Sequence, residues 1–364
     1  MAAKWTVGHT STVLCLNANS EGLVASGAES GELAIWSSDG TCVGQVKLEE
    51  QEDVACVAFS PLCPSRFYAA HGEKISIWDS RCLKIPTDLF HINEDEINCL
   101  RVNETDALLA AADDSGAIKI FDLMNRKVSR TLRRHTNICS SLSFRPGRPQ
   151  SLVSCGLDMQ VMLWNLQKAR PLFVINLQEL AHEEEEQQQN QQATQLLNPP
   201  LAHSITVARC GNIFATGAED GKVRVFRVAG TKFEQEAVLQ GHSMGVSHVH
   251  FLDLPSHPYY LVSGGNDGKI LLWDFESLEQ NKVLQKSFHR RNRKNSKKGQ
   301  YQKMDTSDTT ESHKDQHSDS SLPKMSINHG EKVNWLCATE ANDVWKLLVA
   351  DQTNTISVYS LPEF

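Results

Sequence analysis

The chain is punctuated by short apolar alternations that end on an aromatic residue, and the clearest is Ser263 to Asp274, SGGNDGKILLWD. Asp267-Gly268 is a tight-turn pair, because glycine takes a positive φ at no steric cost, and Ile270 and Leu272 beyond it repeat with the period of a strand. Trp273 closes the strand and Asp274 leaves it. Six further stretches end the same way, on Trp36, Trp78, Phe121, Trp164, Phe226 and Tyr359. Successive closing aromatics stand 42, 43, 43, 62, 47 and 86 residues apart. A period near 43 that later lengthens by insertion predicts seven four-stranded propeller blades.

The polar positions repeat with the apolar ones. Ten residues ahead of the closing aromatic stand Ser26, Ser154, Thr216 and Ser263, and six ahead stand Asp158, Asp220 and Asp267. His9, His135, His203, His242 and His329 each lie four residues ahead of an expected strand opening, at Val13, Cys139, Val207, Val246 and Val333. This pattern resembles the WD-repeat β-propeller family. The resemblance implies that His, Ser or Thr, Asp and Trp form a buried hydrogen-bonded tetrad tying the loop that enters a blade to its central hairpin. The tetrad carries over in full to blade four, as His135, Ser154, Asp158 and Trp164, and to blade six, as His242, Ser263, Asp267 and Trp273. Blade five has Phe226 for the Trp, and blade one has Ser30 at the Asp position. Blade two has Glu50, Tyr68 and Gly72 for His, Ser and Asp, while blade three has Ala111 and Ser115. Blades two and three should therefore be held less rigidly.

Too little chain follows Tyr359 to complete an outer strand of blade seven, and Lys4-Trp5-Thr6-Val7 has strand-like composition with no other partner. The expected fold is thus all-β, a single seven-bladed β-propeller of four-stranded antiparallel blades, closed by the N-terminal strand joining the last blade, which leaves no exposed sheet edge. Two inserts interrupt it. The first, 178–195, contains Glu183-Glu-Glu-Glu186 and a glutamine run, and reads as a disordered or weakly helical loop on the face of the blade-to-blade connections. The second, 285–324, begins with eight basic and no acidic residues between Lys286 and Lys303, then turns rich in Ser, Thr, Asp and His. Two segments compete for the outer strand of blade six: Met325-Ser-Ile327, which is favoured, and Val283-Leu284.

Charge and cysteine usage narrow the function classes. A net charge of -8 disfavours general nucleic-acid affinity. No run approaches the roughly 18 apolar residues of a membrane span, and Met1-Ala-Ala-Lys-Trp5 shows no apolar leader. A cytoplasmic or nuclear location is expected, with the ten cysteines as reduced thiols. Cys15, Cys56 and Cys99 fall in one column of aligned strands, where a small apolar side chain would pack.

His, Ser and Asp together are also the parts of a hydrolase triad, but a set copied in blade after blade beside a Trp reads as a buried hinge. With one histidine per blade and no dense carboxylate loop or phosphate-cradling glycine motif, no metal and no cofactor is expected. Two stretches carry functional content. In the basic run, Arg290, Arg291, Arg293, Lys294, Lys297 and Lys298 read as a nuclear-import signal, as a solvated loop, or as a contact for RNA or an acidic protein. At the end of blade two, Trp78-Asp79-Ser80-Arg81 resembles a Trp-Asp-x-Arg box of WD-repeat proteins that dock on the adaptor of cullin-RING ubiquitin ligases. That resemblance implies partner binding through Trp78, Asp79 and Arg81, with Arg81 reaching a pocket from a rigid strand end. The expectation is a non-enzymatic protein-protein interaction scaffold, monomeric outside its complexes. Its alternatives are a scaffold of another nuclear or cytoplasmic complex, and an enzyme with a site at the central channel.

Overall fold

The computed structural model describes residues 2–188, 198–230, 232–275, 322–341 and 344–361. They form seven four-stranded antiparallel sheets, each pairing its strands in simple succession. The first strand of each blade lies innermost, beginning at Val13, Val54, Ile97, Ser141, Ala202, Val246 and Val333. The third strands end on or just beyond the closing aromatics, and Trp36, Trp78, Trp164 and Trp273 are buried. Outer strands such as Cys42–Lys47 and Met325–Asn328 alternate between half-buried and exposed positions, as an edge with one solvated face must.

The core is divided among the blade interfaces. Seven apolar clusters occur, one between each pair of neighbouring blades, including the pair formed by the last blade and the first. Closure follows the expected route, since Ala3–Trp5 pairs antiparallel with Ile356–Ser360, setting Trp5 opposite Ile356 and Ala3 opposite Val358. Trp5 is buried and stacks on Trp36 at 5.6 Å, which ties the closing strand to blade one as well. Gly40 lies under this ring with φ +95, where a Cβ would stand 2.1 Å from Trp5 Nε1. Only glycine fits that turn.

The outer strand of blade six is Met325–Asn328, paired with Lys269–Asp274, so the second insert falls within that blade. Its basic run, with Arg290, Arg291, Arg293, Lys294, Lys297 and Lys298, lies outside the described residues. In the first insert Leu177–Gln188 is an α-helix, the helical one of the two expected forms, and residues 189–195 lie outside the described residues. Asn176 caps it by accepting the Gln178 N–H at 2.9 Å, and Leu177 and Ala181 are buried one turn apart. A third point of attachment comes from Glu184. It accepts from Lys222 Nζ at 2.8 Å and from Arg224 Nε and Nη2 at 3.0 Å, while Asp220 holds the same guanidinium from the other side at 2.7 Å. Arg224 is fully buried, so this acidic stretch is folded by the buried cation it neutralises.

Candidate functional site

The two complete tetrads form as expected. In blade four His135 Nδ1 stands 2.9 Å from Asp158 Oδ2 and its Nε2 2.8 Å from Ser154 Oγ, which also accepts Trp164 Nε1–H at 2.8 Å. Blade six repeats this with His242, Asp267, Ser263 and Trp273 at 3.0, 2.8 and 2.9 Å. A neutral ring that donates from Nδ1 to the carboxylate can accept from the serine hydroxyl at Nε2, so the chain of donors has one consistent direction. Burial lowers the His242 pKa against the pull of Asp267. Burial pushes Asp267 the other way, but the bonds from His242 and the Ser243 N–H outweigh it and leave that carboxyl lowered. Ser154 and Ser263 are fully buried. Neither tetrad presents its serine to solvent.

The broken tetrads are repaired locally with other residues. In blade one Glu32 replaces the missing Asp, accepting the Thr10 N–H at 2.7 Å and standing 3.5 Å from His9 Nδ1. Burial outweighs this carboxylate and lowers the His9 pKa to about 4. In blade three Asn93 holds Asp113 at 2.7 Å, and in blade seven His329 holds Asp351 at 2.9 Å. Blade five corrects the assignment of His203. Its first strand opens at Ala202, five residues earlier than expected, so Asn198 falls four residues ahead and His203 lies on the strand, paired with Glu219 at 2.8 Å. Phe226 has no ring N–H to donate, and Thr216 Oγ1 turns to the Ser204 carbonyl at 2.9 Å. The tetrad of this blade has dissolved.

The cysteine column also does more than fill space. Cys15, Cys56 and Cys99 point their thiols at the Val54, Leu100 and Leu142 carbonyls of the next inner strand, at 3.3, 3.7 and 3.7 Å. The column continues as Ser141, Ser204 and His248, which accept from the Ile205, Val249 and Leu336 N–H groups, each at 3.2 Å. Asn334 completes the circuit by donating to the Val13 carbonyl at 3.0 Å. Trp335, the seventh member of the column, packs against the clusters of blades seven and one, one and two, and two and three, and so crosses the axis. His248 lies 4.4 Å from its ring and the Arg101 guanidinium 5.5 Å. Burial lowers His248 well below the usual imidazole range and His250 to about 4. An indole, an imidazole and the Arg101 guanidinium thus gather near the axis.

Blade two differs from all of these. The central hairpin of blade two is one residue shorter than in its neighbours, so the serine position falls on Ala69, opposite Ser76, and not on the expected Tyr68; the Trp78 Nε1–H is taken instead by Ser76 at 2.8 Å. Where a tetrad would tie the blade, Glu50, Glu52 and His71 converge with ligating atoms within 4.8 Å of one another, the one such group among the described residues. Lys74 Nζ already stands 2.5 Å from Glu50 Oε1, so the local positive charge is supplied by an ammonium. The box at the end of the blade divides by exposure. Trp78 is buried and anchors the strand, which removes its ring from direct partner contact. Arg81 is 77% exposed, and Asp79 grips it by Nε at 2.9 Å and Nη2 at 2.5 Å while accepting its backbone N–H at 3.0 Å. This grip lowers the Asp79 pKa to about 2. The following loop exposes Ile85 and borders a groove of about 370 Å³ lined by Leu48, Trp78, Ile85, Pro86 and Leu89.

Seven closed four-stranded blades make a β-propeller, and the tetrads of blades four and six have the form found in WD repeats. Comparison with known proteins agrees: the "WD domain, G-beta repeat" family model matches residues 126–165 and 233–274. The chain is 26% identical to the WD repeat-containing protein 53 homolog of Dictyostelium discoideum, over 98% of this chain and 93% of that protein. It is 24% identical to a p21-activated protein kinase-interacting protein 1-like protein of Xenopus laevis, over 60% of this chain and 65% of that one. It is also 29% identical to Protein transport protein Sec31A of Danio rerio, over 45% of this chain but 14% of that protein. Propellers of this class are generally non-enzymatic scaffolds for protein interaction. Among the described residues no helix is long and apolar enough to cross a membrane.

Proposed function

We propose that this scaffold is a substrate receptor that docks on the adaptor of a cullin-RING ubiquitin ligase through the end of blade two. The observation that carries the reading is Arg81, exposed and pre-aimed by the two-point grip of Asp79 on a strand end whose Trp78 is locked in the core. An arginine held in this way loses little side-chain freedom on entering a partner's pocket, and its planar fork suits a bed of carbonyl or carboxylate acceptors. Exposed Ile85 and Leu89 on the following loop and strand add an apolar flank. Clients bind elsewhere on the disc, and the basic run directs nuclear import.

Affinity purification of wild type and Arg81→Ala from the same cells tests this. Loss of the adaptor from the variant, with the folded propeller retained, is the expected result. Full co-purification of the adaptor with Arg81→Ala overturns the docking reading and leaves a scaffold of another complex.

A further inference from the structure

Where the first two strands of blade four turn, the fold buries a positive charge that it does not neutralise. Arg145 is 5% exposed. Its Nε donates to the Gly211 carbonyl at 2.7 Å, Nη2 to Asn212 Oδ1 at 3.1 Å and Nη1 to Ser151 Oγ at 3.4 Å. All three acceptors are neutral, and two of the five guanidinium N–H groups have no acceptor among the described residues. The next charge is of the same sign: burial first and Arg148 second lower the Arg145 pKa to about 10, with no carboxylate opposing them. Burying an ion without a counter-ion costs several kcal/mol, and most proteins place a carboxylate beside it. Arg224, buried one blade away, has two.

Arg145 opens onto a cavity of about 480 Å³ between blades four and five, shared with Arg148, Arg227 and Asn212 and walled by Leu172, Phe173 and Val228. Of the nearby carboxylates, Glu236, Glu104 and Glu234 are engaged elsewhere, Glu234 with Lys232 at 3.3 Å. Glu236 pairs with Arg227 at 3.2 Å, and Glu104 accepts the Gly147 N–H at 2.9 Å. Arg148 is exposed and makes no ion pair among the described residues. The turns around the cavity join first to second and third to fourth strands, so it opens on the same face of the disc as Arg81.

We propose that this cavity is a docking site for a phosphorylated side chain of a partner protein, with Arg145 and Arg148 as its anion receptors. A phosphate supplies several acceptor oxygens, enough for the unused Arg145 N–H groups and the Arg148 fork together. The apolar wall of Leu172, Phe173 and Val228 would stay uncovered under a free ion, whereas a peptide carrying an apolar residue beside the phosphorylated one fills both halves. The site does not depend on Arg81, and it gives the lower face of the disc a second recognition point.

The test uses the full chain with a phosphoserine peptide bearing a neighbouring leucine, its unphosphorylated twin, and inorganic phosphate at constant ionic strength. Wild type is expected to bind the phosphopeptide at least tenfold more tightly than the twin. Arg148→Gln, an exposed change that leaves the fold intact, is expected to abolish that preference, and Arg81→Ala to keep it. Arg145→Lys serves as a second variant, retaining charge but losing the fork, and is expected to weaken the preference. Equal binding of the two peptides, or a preference that survives in Arg148→Gln, overturns the proposal. A response to inorganic phosphate without phosphopeptide preference overturns it as well, since the ion would then suffice.

Discussion

Blade six and blade two are built from the same four strands and close on the same buried indole, yet they use their polar residues in opposite ways. In blade six, His242, Ser263 and Asp267 are consumed inside the sheet, and the closing Trp273-Asp274 passes into the buried Phe275. In blade two, only the indole bond survives, through Ser76, while Glu50, Glu52 and Lys74 gather at the surface above the buried His71. The following turn aims Arg81 outward. A complete repeat spends its polar groups on itself; a degraded one can keep the indole and offer the rest to a partner.

The comparison can be broken in several ways. The largest effect belongs to the feature both blades share: Trp273→Ala and Trp78→Ala should each cost about 3–5 kcal/mol, read from urea midpoints, because both rings are 1% exposed and hydrogen-bonded. A mild Trp78→Ala would show that blade two is not anchored by its indole. Acid comes next. A histidine whose folded pKa is depressed holds fewer protons folded than unfolded, so its stabilisation is complete above the free value of 6.5 and is lost as pH falls through the folded value. His9, lowered to about 4, should contribute on the order of 3 kcal/mol of that loss between these limits, with His242 adding in the same direction. His9→Asn should flatten the pH profile of thermal unfolding in this window. Third, Asp267→Asn should cost about 2 kcal/mol, since four donors converge on a carboxylate 3% exposed. Glu52→Gln, at a side chain 39% exposed, should shift the midpoint far less. Equal effects would mean that blade two is as tightly tied as blade six. Smallest of all, Arg81→Ala should leave the unfolding midpoint unmoved, as befits a residue held in readiness for a partner.

How much of this was legible depended on whether a residue's role was periodic. The closing aromatics and the two full tetrads follow from a repeated spacing, the N-terminal closing strand follows from the strand missing after Tyr359, and the outer strand of blade six falls on the favoured of two competing segments, Met325–Asn328. Substitutes were not legible, because each repair draws on a different position. Glu32 lies four residues before its aromatic, Ser76 two and Asp113 eight. His203 has the spacing of a histidine in the entering loop but lies on the strand Ala202–Val207, so spacing alone does not separate the two positions. A weak helix was legible at Leu177–Gln188, but its anchoring was not, because the partner of Glu184, Arg224, is distant in sequence and recognisable only once buried. Arg145 was hidden for the same reason, since nothing in a sequence marks a charge that lacks a counter-ion.

The pairing of Trp5 with Ile356 has a consequence in time. About 350 residues of synthesis separate the two, and at about 5–20 residues per second the first strand waits roughly twenty seconds to a minute for its partner to be made. Blades one to six can stack as they emerge, each on the one before, but the ring cannot shut until the last strand leaves the ribosome. Until then the molecule is an open arc with an indole at one end and an unpaired sheet edge at the other. That interval is when the chain is most in need of a chaperone, and most able to close on a neighbouring copy instead of itself.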